Sequence, residues 1–341
     1  MQNIFVSHNP FHVYMAQRII KSNLLPPDAI NILLLEYDAD YFQLIDYKLW
    51  SDVITLEIIG GSTIGHVKYK KSEKNVNTIK NIINDNENTQ IFLSDIAWPM
   101  NNRIYFDKQL RKRADYCLYS DGLGTYALPR VTKTLYARGV IKRLNGLIKQ
   151  GVRYKNYKGN AFGIDRKETK YIYAPNVNLV ECEASKRIEV PFSSVVERPF
   201  NMSKCLFLDA PGLLGLEKCD WQLIRHAAID FLKSLGFKEY YYKNHQMGRI
   251  ENKNYYEHNG FNIINTNKCA EQIVAENDFG VVVSYYSSAL FNLKCMYKDK
   301  IRCISYFSRT LIRMASGYNE NKSDKVIDLF NKVNVEVVIM P

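Results

Sequence analysis

The sequence predicts an α/β protein built of two Rossmann-like domains that face each other across a cleft. The chain has 341 residues, more than a single hydrophobic core usually serves. In both halves, short apolar strands alternate with helices of about ten to fifteen residues, the pattern of a parallel sheet covered by helices. A less regular stretch, residues 125–200, separates the two alternating arrays.

The composition favours a soluble globular protein. Hydrophobic residues make up 46% of the chain, which argues against disorder. No segment approaches the roughly 18 uncharged apolar residues of a membrane span, and the N-terminus lacks the pattern of a signal peptide. The seven cysteines are scattered and never spaced as CxxC, which predicts reduced thiols in a cytosolic protein.

The first half carries five predicted strands and predicts an N-terminal domain over residues 1–180. The first strand, NIFVSH, is followed by Pro10, which is well placed to open a helix. The further strands are expected at 31–37, 52–59, 89–95 and 115–122. Two more helices are expected at 75–85 and 101–114.

The second half repeats the pattern and predicts a C-terminal domain over residues 181–341. Its strands are expected at 204–212, 238–245, 261–267, 278–284 and 301–307. Its helices are expected at 219–236, 269–277, 287–299 and 323–334. Two successive arrays of this kind suggest, by analogy of fold, the GT-B architecture of many sugar transferases.

Three predicted strand ends carry residues that could do chemistry, because ligands of α/β sheets bind beyond the carboxyl ends of strands. The first is Ser120-Asp121-Gly122-Leu123-Gly124. The glycines permit tight or left-handed turns that would expose the Asp121 carboxylate, which could take a proton from an attacking hydroxyl. A common Asp-Gly turn is the simpler alternative.

The other two strand ends lie in the second half. Lys243 and His245 follow an aromatic strand, where a histidine could act as a general acid and a lysine could add positive charge. Ser284 ends the strand DFGVVVS, and Ser287 and Ser288 come where a helix should begin. Hydroxyls and unpaired amides there could hold a phosphate. The alternatives are an ordinary loop histidine and simple helix capping.

The order of these three motifs resembles the bacterial sialyltransferases that build lipooligosaccharide, O-antigen, capsule and polysialic acid. Those enzymes share [D/E][D/E]G, HP and S-[S/T] motifs, and the opening SHNPFHVYMA is also similar. The resemblance implies a two-domain enzyme that moves sialic acid from CMP-sialic acid, with inversion and without a metal, to a terminal galactose of a bacterial surface glycan. It implies no cofactor besides this nucleotide-sugar donor.

The resemblance also implies a role for each matching residue. Asp121 would be the general base, His245 the general acid, and Ser287 and Ser288 the phosphate ligands. Lys243, Gly122, Ser284, Pro10 and Asn102 are further candidates for substrate binding. The sequence departs from the motifs at Ser120, where an acidic residue is usual, and at Gln246, where a proline is usual.

Weaker candidates lie at other strand ends. His12 lies at the first strand–helix junction, Asp95 ends a strand, and Asp209 follows the first strand of the second domain; an ordinary turn or cap is the simpler interpretation of each. No His/Cys cluster has metal-ligand spacing, and we interpret Asp38-Ala39-Asp40, a nominal DxD, as a turn.

The net charge of +11 is concentrated between residues 130 and 170. Such a basic stretch could hold the protein at the cytoplasmic face of the cell membrane, near a lipid-linked oligosaccharide acceptor, or could be a solvated helix surface. No nucleic-acid-binding motif accompanies it, so we expect no nucleic acid partner. The C-terminal helix could exchange between domains or subunits, which leaves a homodimer open.

Two other functions remain open. The first is a transferase of the kind that uses CDP-glycerol to transfer a polyol phosphate, since such enzymes also pair a histidine with a strand–Ser–helix phosphate site. The second is a non-catalytic basic protein that binds glycan or lipid. The sequence leaves the linkage, α2,3, α2,6 or α2,8, undecided.

Overall fold

The computed structural model forms two compact units, Met1–Pro191 and Phe192–Pro341. It describes residues 1–36, 39–59, 65–126, 130–148, 154–192, 199–209, 221–245, 250–285, 287–308 and 320–340. The division falls after Pro191 rather than at residue 180, because a short strand at Arg187–Glu189 pairs within the first sheet.

The first unit contains a seven-stranded sheet in which all neighbouring strands are parallel. Its strands in chain order are β1 (Gln2–Ser7), β2 (Ile30–Leu35), β3 (Asp52–Thr55), β4 (Thr89–Leu93), β5 (Ala114–Tyr119), β6 (Thr169–Ala174) and β7 (Arg187–Glu189). The spatial order is β3-β2-β1-β4-β5-β6-β7. The central strands are buried on both faces, as expected of strands that helices cover.

In the described ranges of this unit, six α-helices lie between these strands. They are α1 (Pro10–Lys21), α2 (Gly65–Ile82), α3 (Pro99–Tyr105), α4 (Leu110–Arg113), α5 (Leu123–Tyr126) and α6 (Lys133–Ile148). Short 3₁₀ helices add further turns at Ala39–Leu44, Tyr47–Leu49, Val177–Leu179 and Ala184–Lys186.

The second unit contains a six-stranded parallel sheet of order β10-β9-β8-β11-β12-β13. Its strands are β8 (Asn201–Leu208), β9 (Glu239–Lys243), β10 (Asn262–Ile263), β11 (Phe279–Ser284), β12 (Arg302–Ser308) and β13 (Glu336–Met340). Its helices are α7 (Trp221–Ser234), α8 (Ile250–His258), α9 (Ala270–Glu276), α10 (Ser288–Tyr297) and α11 (Glu320–Lys332), with a 3₁₀ turn at Lys298–Lys300.

Each sheet has one point where the direction of strand addition reverses. In the first sheet the chain builds outward from β1 to β2 and β3, then returns to place β4 on the other side of β1. In the second sheet β8 has the same position, between β9 and β11. The crossover connections leave a crevice at the carboxyl ends of the strands on either side of such a point, so these two edges are where a ligand is expected.

The structure confirms the predicted fold class and the strand–helix alternation, and it differs from the prediction in several places. The helix predicted at 101–114 is two helices, because the Asp107 carboxylate accepts hydrogen bonds from the backbone amides of Gln109 and Leu110 and starts a new turn. The stretch 125–200 is more regular than its sequence suggests, since it contains α6, β6 and β7. A final strand, β13, follows the predicted terminal helix and pairs with β12.

Gly280 should be essential for the close approach of β11 to β8. A Cβ atom at Gly280 would lie 2.6 Å from the backbone carbon and oxygen of Asn201, where the register of the two strands shifts. We expect Gly280→Ala to lower the free energy of unfolding by about 1–3 kcal/mol, measured by urea denaturation. The control is Gly236→Asn, where φ is +69° and an added Cβ would have no atom within 4 Å; asparagine tolerates this backbone, so a loss equal to that of Gly280→Ala would contradict the steric explanation.

Candidate active site

Five titratable side chains gather at the carboxyl edge of the first sheet, around its reversal point. His8 follows β1 and His12 lies in the first turn of α1. Glu36 follows β2, Asp95 follows β4, and Asp121 follows β5. Because these strands are parallel neighbours, residues far apart in the chain lie side by side here.

The central contact is a hydrogen bond between His12 and Asp121. The His12 Nε2 atom lies 2.6 Å from Asp121 Oδ1. The His12 side chain is 3% exposed and that of Asp121 is 28% exposed. The carboxylate is therefore the outer member of the pair, and the imidazole lies behind it.

Local sequence places His12 at this position. Asn9 caps α1, since its side-chain oxygen accepts a hydrogen bond from the His12 backbone amide at 2.9 Å. Pro10 occupies the first turn, where its missing N–H costs nothing. The buried ring of Tyr119 meets the His12 ring edge-on at 5.5 Å, and its hydroxyl donates to the Val6 carbonyl at 2.6 Å.

A left-handed turn places Asp121. Gly122 has φ of +82°, which favours glycine, and its amide donates to the Ser120 hydroxyl at 3.2 Å. The Asp121 amide donates to the Thr125 hydroxyl at 3.0 Å. The predicted Asp-Gly turn is thus present. Gly124 is expected from the sequence to permit a tight turn. The structure shows instead that it allows a close approach, because a Cβ atom there would collide with the ring of Phe162.

The backbone of His8 indicates which nitrogen of His12 carries the proton. The His8 amide lies 3.2 Å from His12 Nδ1, and an amide can only donate, so Nδ1 accepts. The Nε2 atom is then the donor to Asp121. The Asn9 side-chain nitrogen is a further neighbour of Nε2, at 3.0 Å. This arrangement fixes the orientation of the Asp121 carboxylate.

A second histidine network lies beside the first. His8 Nδ1 is 2.8 Å from Glu36 Oε2, and His8 Nε2 is 2.7 Å from Asn101 Oδ1. Burial opposes a charge on His8, but the hydrogen bond and the charge of Glu36 outweigh it and raise the pKa of His8. The indole N–H of Trp98 donates to Glu36 at 3.2 Å, and the Trp98 ring, 42% exposed, lies 5.8 Å from the His8 ring.

Asp95 differs from Asp121 in its surroundings. Its carboxylate is buried and accepts the backbone amides of Ala97 and Trp98, each at 2.6 Å. Burial raises the pKa of Asp95, and the nearby charge of Asp121 raises it further. Asp95 therefore holds the turn that leads into α3, whereas Asp121 is the carboxylate that a substrate can reach.

Asn102 is engaged inside the protein. Its side-chain nitrogen donates to the carbonyls of Ile96 and Lys155, both at 3.1 Å, and its oxygen accepts the Lys155 amide at 2.7 Å. It is fully buried. These bonds tie segment 154–157 to the β4–α3 loop, so the geometry favours a structural role over the predicted substrate contact.

In the second unit, the corresponding edge carries Asp209, Lys243 and His245. Asp209 follows β8. Its Oδ2 atom accepts hydrogen bonds from the Tyr242 hydroxyl at 2.8 Å and from the side-chain nitrogen of Asn252 at 3.0 Å. Lys243 ends β9 and is buried; burial lowers its pKa, partly offset by Cys269 and Glu271. Burial also lowers the pKa of His245, while the charge of Asp209 acts in the opposite sense.

These lowered pKa values suit a site that binds an anion. A phosphate placed near Lys243 and His245 would favour their charged forms and reverse the effect of burial. Glu271 is buried at the start of α9 and accepts a hydrogen bond from the side-chain nitrogen of Asn292 at 2.7 Å. Burial raises the pKa of Glu271. Gln246 lies outside the described residues, so its effect on the His245 loop stays a prediction.

The serines predicted to bind phosphate differ among themselves. Ser284 is fully buried, and its hydroxyl donates to the Leu208 carbonyl at 2.9 Å, which joins β11 to β8. Ser287 caps α10, and its hydroxyl accepts the Ala289 amide at 3.2 Å. Ser288 is the first residue of α10 and is partly exposed. Ser287 and Ser288 therefore lie at a helix N-terminus, where the backbone dipole favours an anion.

The predicted site residues divide between the two units, and each group is arranged within its own sheet. Pro10, Asn102, Asp121 and Gly122 lie at the edge of the first sheet, and the other five lie at that of the second. Sequence reasoning missed His8 and Glu36, although both directly follow parallel strands. The rule that located Asp121 would have found them if it had been applied to every strand end.

Three general properties concern the described residues alone. No group of three or more His, Cys, Asp or Glu side chains in those ranges is arranged to hold a metal ion. Six of the seven cysteines lie there and are unpaired. None of the helices placed by the structure combines the length and apolar character needed to cross a bilayer.

Each of the two units contains a sheet of parallel strands, and this architecture places the protein in the GT-B class. The structure is similar to the GT-B domain of a sialyltransferase from Photobacterium damselae, with a TM-score of 0.57 and 12% identity over 99% of both chains. It is also similar to UDP-GlcNAc 2-epimerase from Methanocaldococcus jannaschii, with a TM-score of 0.53 and 11% identity over 98% of this chain and 92% of that one. Since enzymes of different function share this fold, these similarities establish the fold alone.

The family is established by a sequence model. The model of alpha-2,8-polysialyltransferases (POLYST) matches residues 3–231 and 241–304, most of the chain. The chain belongs to this family, and it is therefore a glycosyltransferase of the sialyltransferase class. The search of curated proteins gave no significant match. The resemblance drawn from the sequence is thus confirmed for the family, while the individual motif assignments stay predictions.

The raised pKa of His8 predicts a pH-dependent contribution to stability. A group with a raised pKa in the folded state stabilises it fully below the unfolded pKa, about 6.5 for histidine, and loses that contribution as the pH rises through the folded value. We expect His8→Gln to destabilise the protein more at about pH 5.5 than at about pH 8.5, measured by urea denaturation. The matched control is His226→Gln, since the His226 side chain is 68% exposed. A pH-independent loss in His8→Gln would contradict the ion pair with Glu36.

Proposed function

We propose that the protein transfers sialic acid from CMP-sialic acid to a glycan by a single displacement at the anomeric carbon. The observation that carries the proposal is the His12–Asp121 hydrogen bond of 2.6 Å, which supplies an accessible, oriented carboxylate at the reversal point of the first sheet. A sialyltransferase requires such a base, because the acceptor is an unactivated sugar hydroxyl. The donor already carries a good leaving group and needs no covalent enzyme intermediate.

In the proposed step the acceptor hydroxyl loses its proton to Asp121 as its oxygen bonds to the anomeric carbon of sialic acid. The bond from that carbon to the phosphate oxygen breaks, and CMP departs with the electron pair. Attack opposite to the leaving group inverts the anomeric configuration. His12 is a positioning residue in this scheme, because it contacts Asp121 and lies behind it.

The second unit supplies groups suited to the leaving phosphate. Burial lowers the pKa values of Lys243 and His245, and a bound phosphate would favour the protonated form of each. His245 would then donate a proton or a hydrogen bond to the phosphate oxygen as the bond breaks. The hydroxyls of Ser287 and Ser288 and the N-terminal amides of α10 would hold the remaining oxygens. This chemistry requires no metal.

The family and the surface near the proposed base indicate which acceptor glycan should be tested first. The family name indicates α2,8 linkage and a polymer product, so we propose a glycan that ends in sialic acid as the first acceptor to test. Terminal galactose, the acceptor expected from the sequence, is the second. The exposed ring of Trp98, held by Glu36, offers a flat apolar surface for an acceptor sugar.

We further propose the cytoplasm as the location and a bacterial lipopolysaccharide, O-antigen or capsule as the product.

The donor class can be tested by thermal stabilisation. We expect CMP to raise the melting temperature of the wild-type protein and to have little effect on Ser287→Ala/Ser288→Ala; at about a hundred times its dissociation constant it should add roughly 2.7 kcal/mol. Ser305→Ala is the control, since that buried serine of β12 donates to the Tyr285 carbonyl. Stabilisation by UDP or GDP alone would replace the proposed donor. Stabilisation by CDP-glycerol but not CMP-sialic acid would favour a polyol-phosphate transferase.

The proposed base can be tested by kinetics. We expect Asp121→Asn to lower kcat by about 10²–10⁴ while leaving CMP binding intact, because only the proton acceptor is lost. His12→Phe should lower kcat less and shift the pH–rate profile, and His12→Gln, which can still donate to Asp121, should restore part of the activity. Full activity of Asp121→Asn with sialylated and galactose-terminated acceptors would overturn the assignment.

A further inference from the structure

Helix α6 carries an apolar surface that the rest of its unit does not cover. Ile141 is 57% exposed and Leu144 is 51% exposed. They share one side of the helix with Ala137, which is exposed, and Val140, which is half-buried. The spacing i, i+3, i+4, i+7 places these four residues in a single stripe, called here the outer face of α6.

The opposite side of α6 fastens the helix to the first unit. Gly139 is buried, and a Cβ there would collide with the Asn156 side chain. The Lys142 ammonium lies 5.0 Å from the centre of the Tyr154 ring. Because the helix is held from this side, the outer face points away from the segment that supports it.

Positive charge borders the outer face. At 100° per residue, Arg138 and Arg143 fall on its two sides, and Lys133 lies on it near the helix start. No acidic residue occurs between Asp121 and Asp165 in the sequence. An apolar stripe between basic residues is the pattern of a helix that lies in the plane of a bilayer surface.

Part of the basic stretch of residues 130–170 is paired within the unit. Arg166 pairs with Glu168 at 3.1 Å, and Lys170 pairs with Asp115 at 2.6 Å. These two positive charges therefore have acidic partners. The charge on α6 has no acidic residue on its own helix to balance it.

The helix also lies beside the candidate active site. Leu135 and Gly139 line a groove together with Ala97, and the Tyr154 hydroxyl donates to the Ala97 carbonyl at 3.3 Å. The Ala97 amide in turn donates to Asp95. The supporting side of α6 therefore faces the β4–α3 loop, and the outer face lies on the other side of the helix.

We propose that the outer face of α6 docks on an anionic lipid bilayer, with Ile141 and Leu144 inserted at the headgroup boundary and Arg138 and Arg143 against lipid phosphates. The binding goes beyond the proposed transfer and does not depend on it. Its consequence is that a lipid-linked acceptor meets the first unit at the membrane surface.

The test is sedimentation of the full chain with vesicles of phosphatidylcholine, with or without about 30% phosphatidylglycerol. We expect binding to the anionic vesicles that falls with added salt, and little binding to the neutral ones. Ile141→Ser/Leu144→Ser should weaken binding at least about tenfold, and Arg138→Glu/Arg143→Glu at least as much. Because these side chains are exposed, the melting temperature should change little.

The matched control is Met202→Ser/Ile339→Ser, two residues that are each 50% exposed elsewhere on the chain. Equal weakening by this control would overturn the proposal, as would equal binding to neutral vesicles. Concentration-dependent self-association that Ile141→Ser/Leu144→Ser abolishes, without lipid binding by wild type, would show a subunit interface instead. Lipid binding that persists in Asp121→Asn separates this proposal from the transferase mechanism.

Discussion

Parallel pairing of β1, β4 and β5 is the constraint on which the candidate active site depends. His12 and Asp121 are 109 positions apart in the chain, and they meet because the strands before them end at the same edge of one sheet. The reversal of strand order beside β1 keeps crossover helices away from that edge. An antiparallel partner at either position would send one of the two side chains to the opposite end of the sheet.

Burial then separates the roles of chemically similar groups. Asp95 and Asp121 both follow central strands, yet Asp95 is buried under two backbone amides and has a raised pKa, whereas Asp121 is partly exposed. His8 and His12 differ instead in their partners: His8 is paired with Glu36, and His12 contacts the proposed base. Asp95 and His8 are thus engaged in internal contacts, and the Asp121 carboxylate is the more accessible of the two aspartates.

The second unit uses burial for a different purpose. Burial lowers the pKa values of Lys243 and His245, because it penalises the charged form of each side chain. A bound phosphate would supply the compensating charge. The capped N-terminus of α10 adds a fixed dipole that needs no titration. The family identifies the protein as a sialyltransferase, and the proposed roles of these two edges are compatible with that activity.

The sequence by itself determined the fold class, ten of the 13 strands that the structure describes, the Asp-Gly turn and the serine-capped helix, because these depend on local periodicity, turn residues and capping. It also located Asp121, His245, Ser287 and Ser288 at strand and helix ends. Only the tertiary structure decided that His12 contacts Asp121 and that His8 pairs with Glu36. It also decided that the side chains of Asn102 and Ser284 form hydrogen bonds inside the protein. Those outcomes depend on which strands become neighbours and on how deeply each side chain is buried, and local pattern does not encode either one.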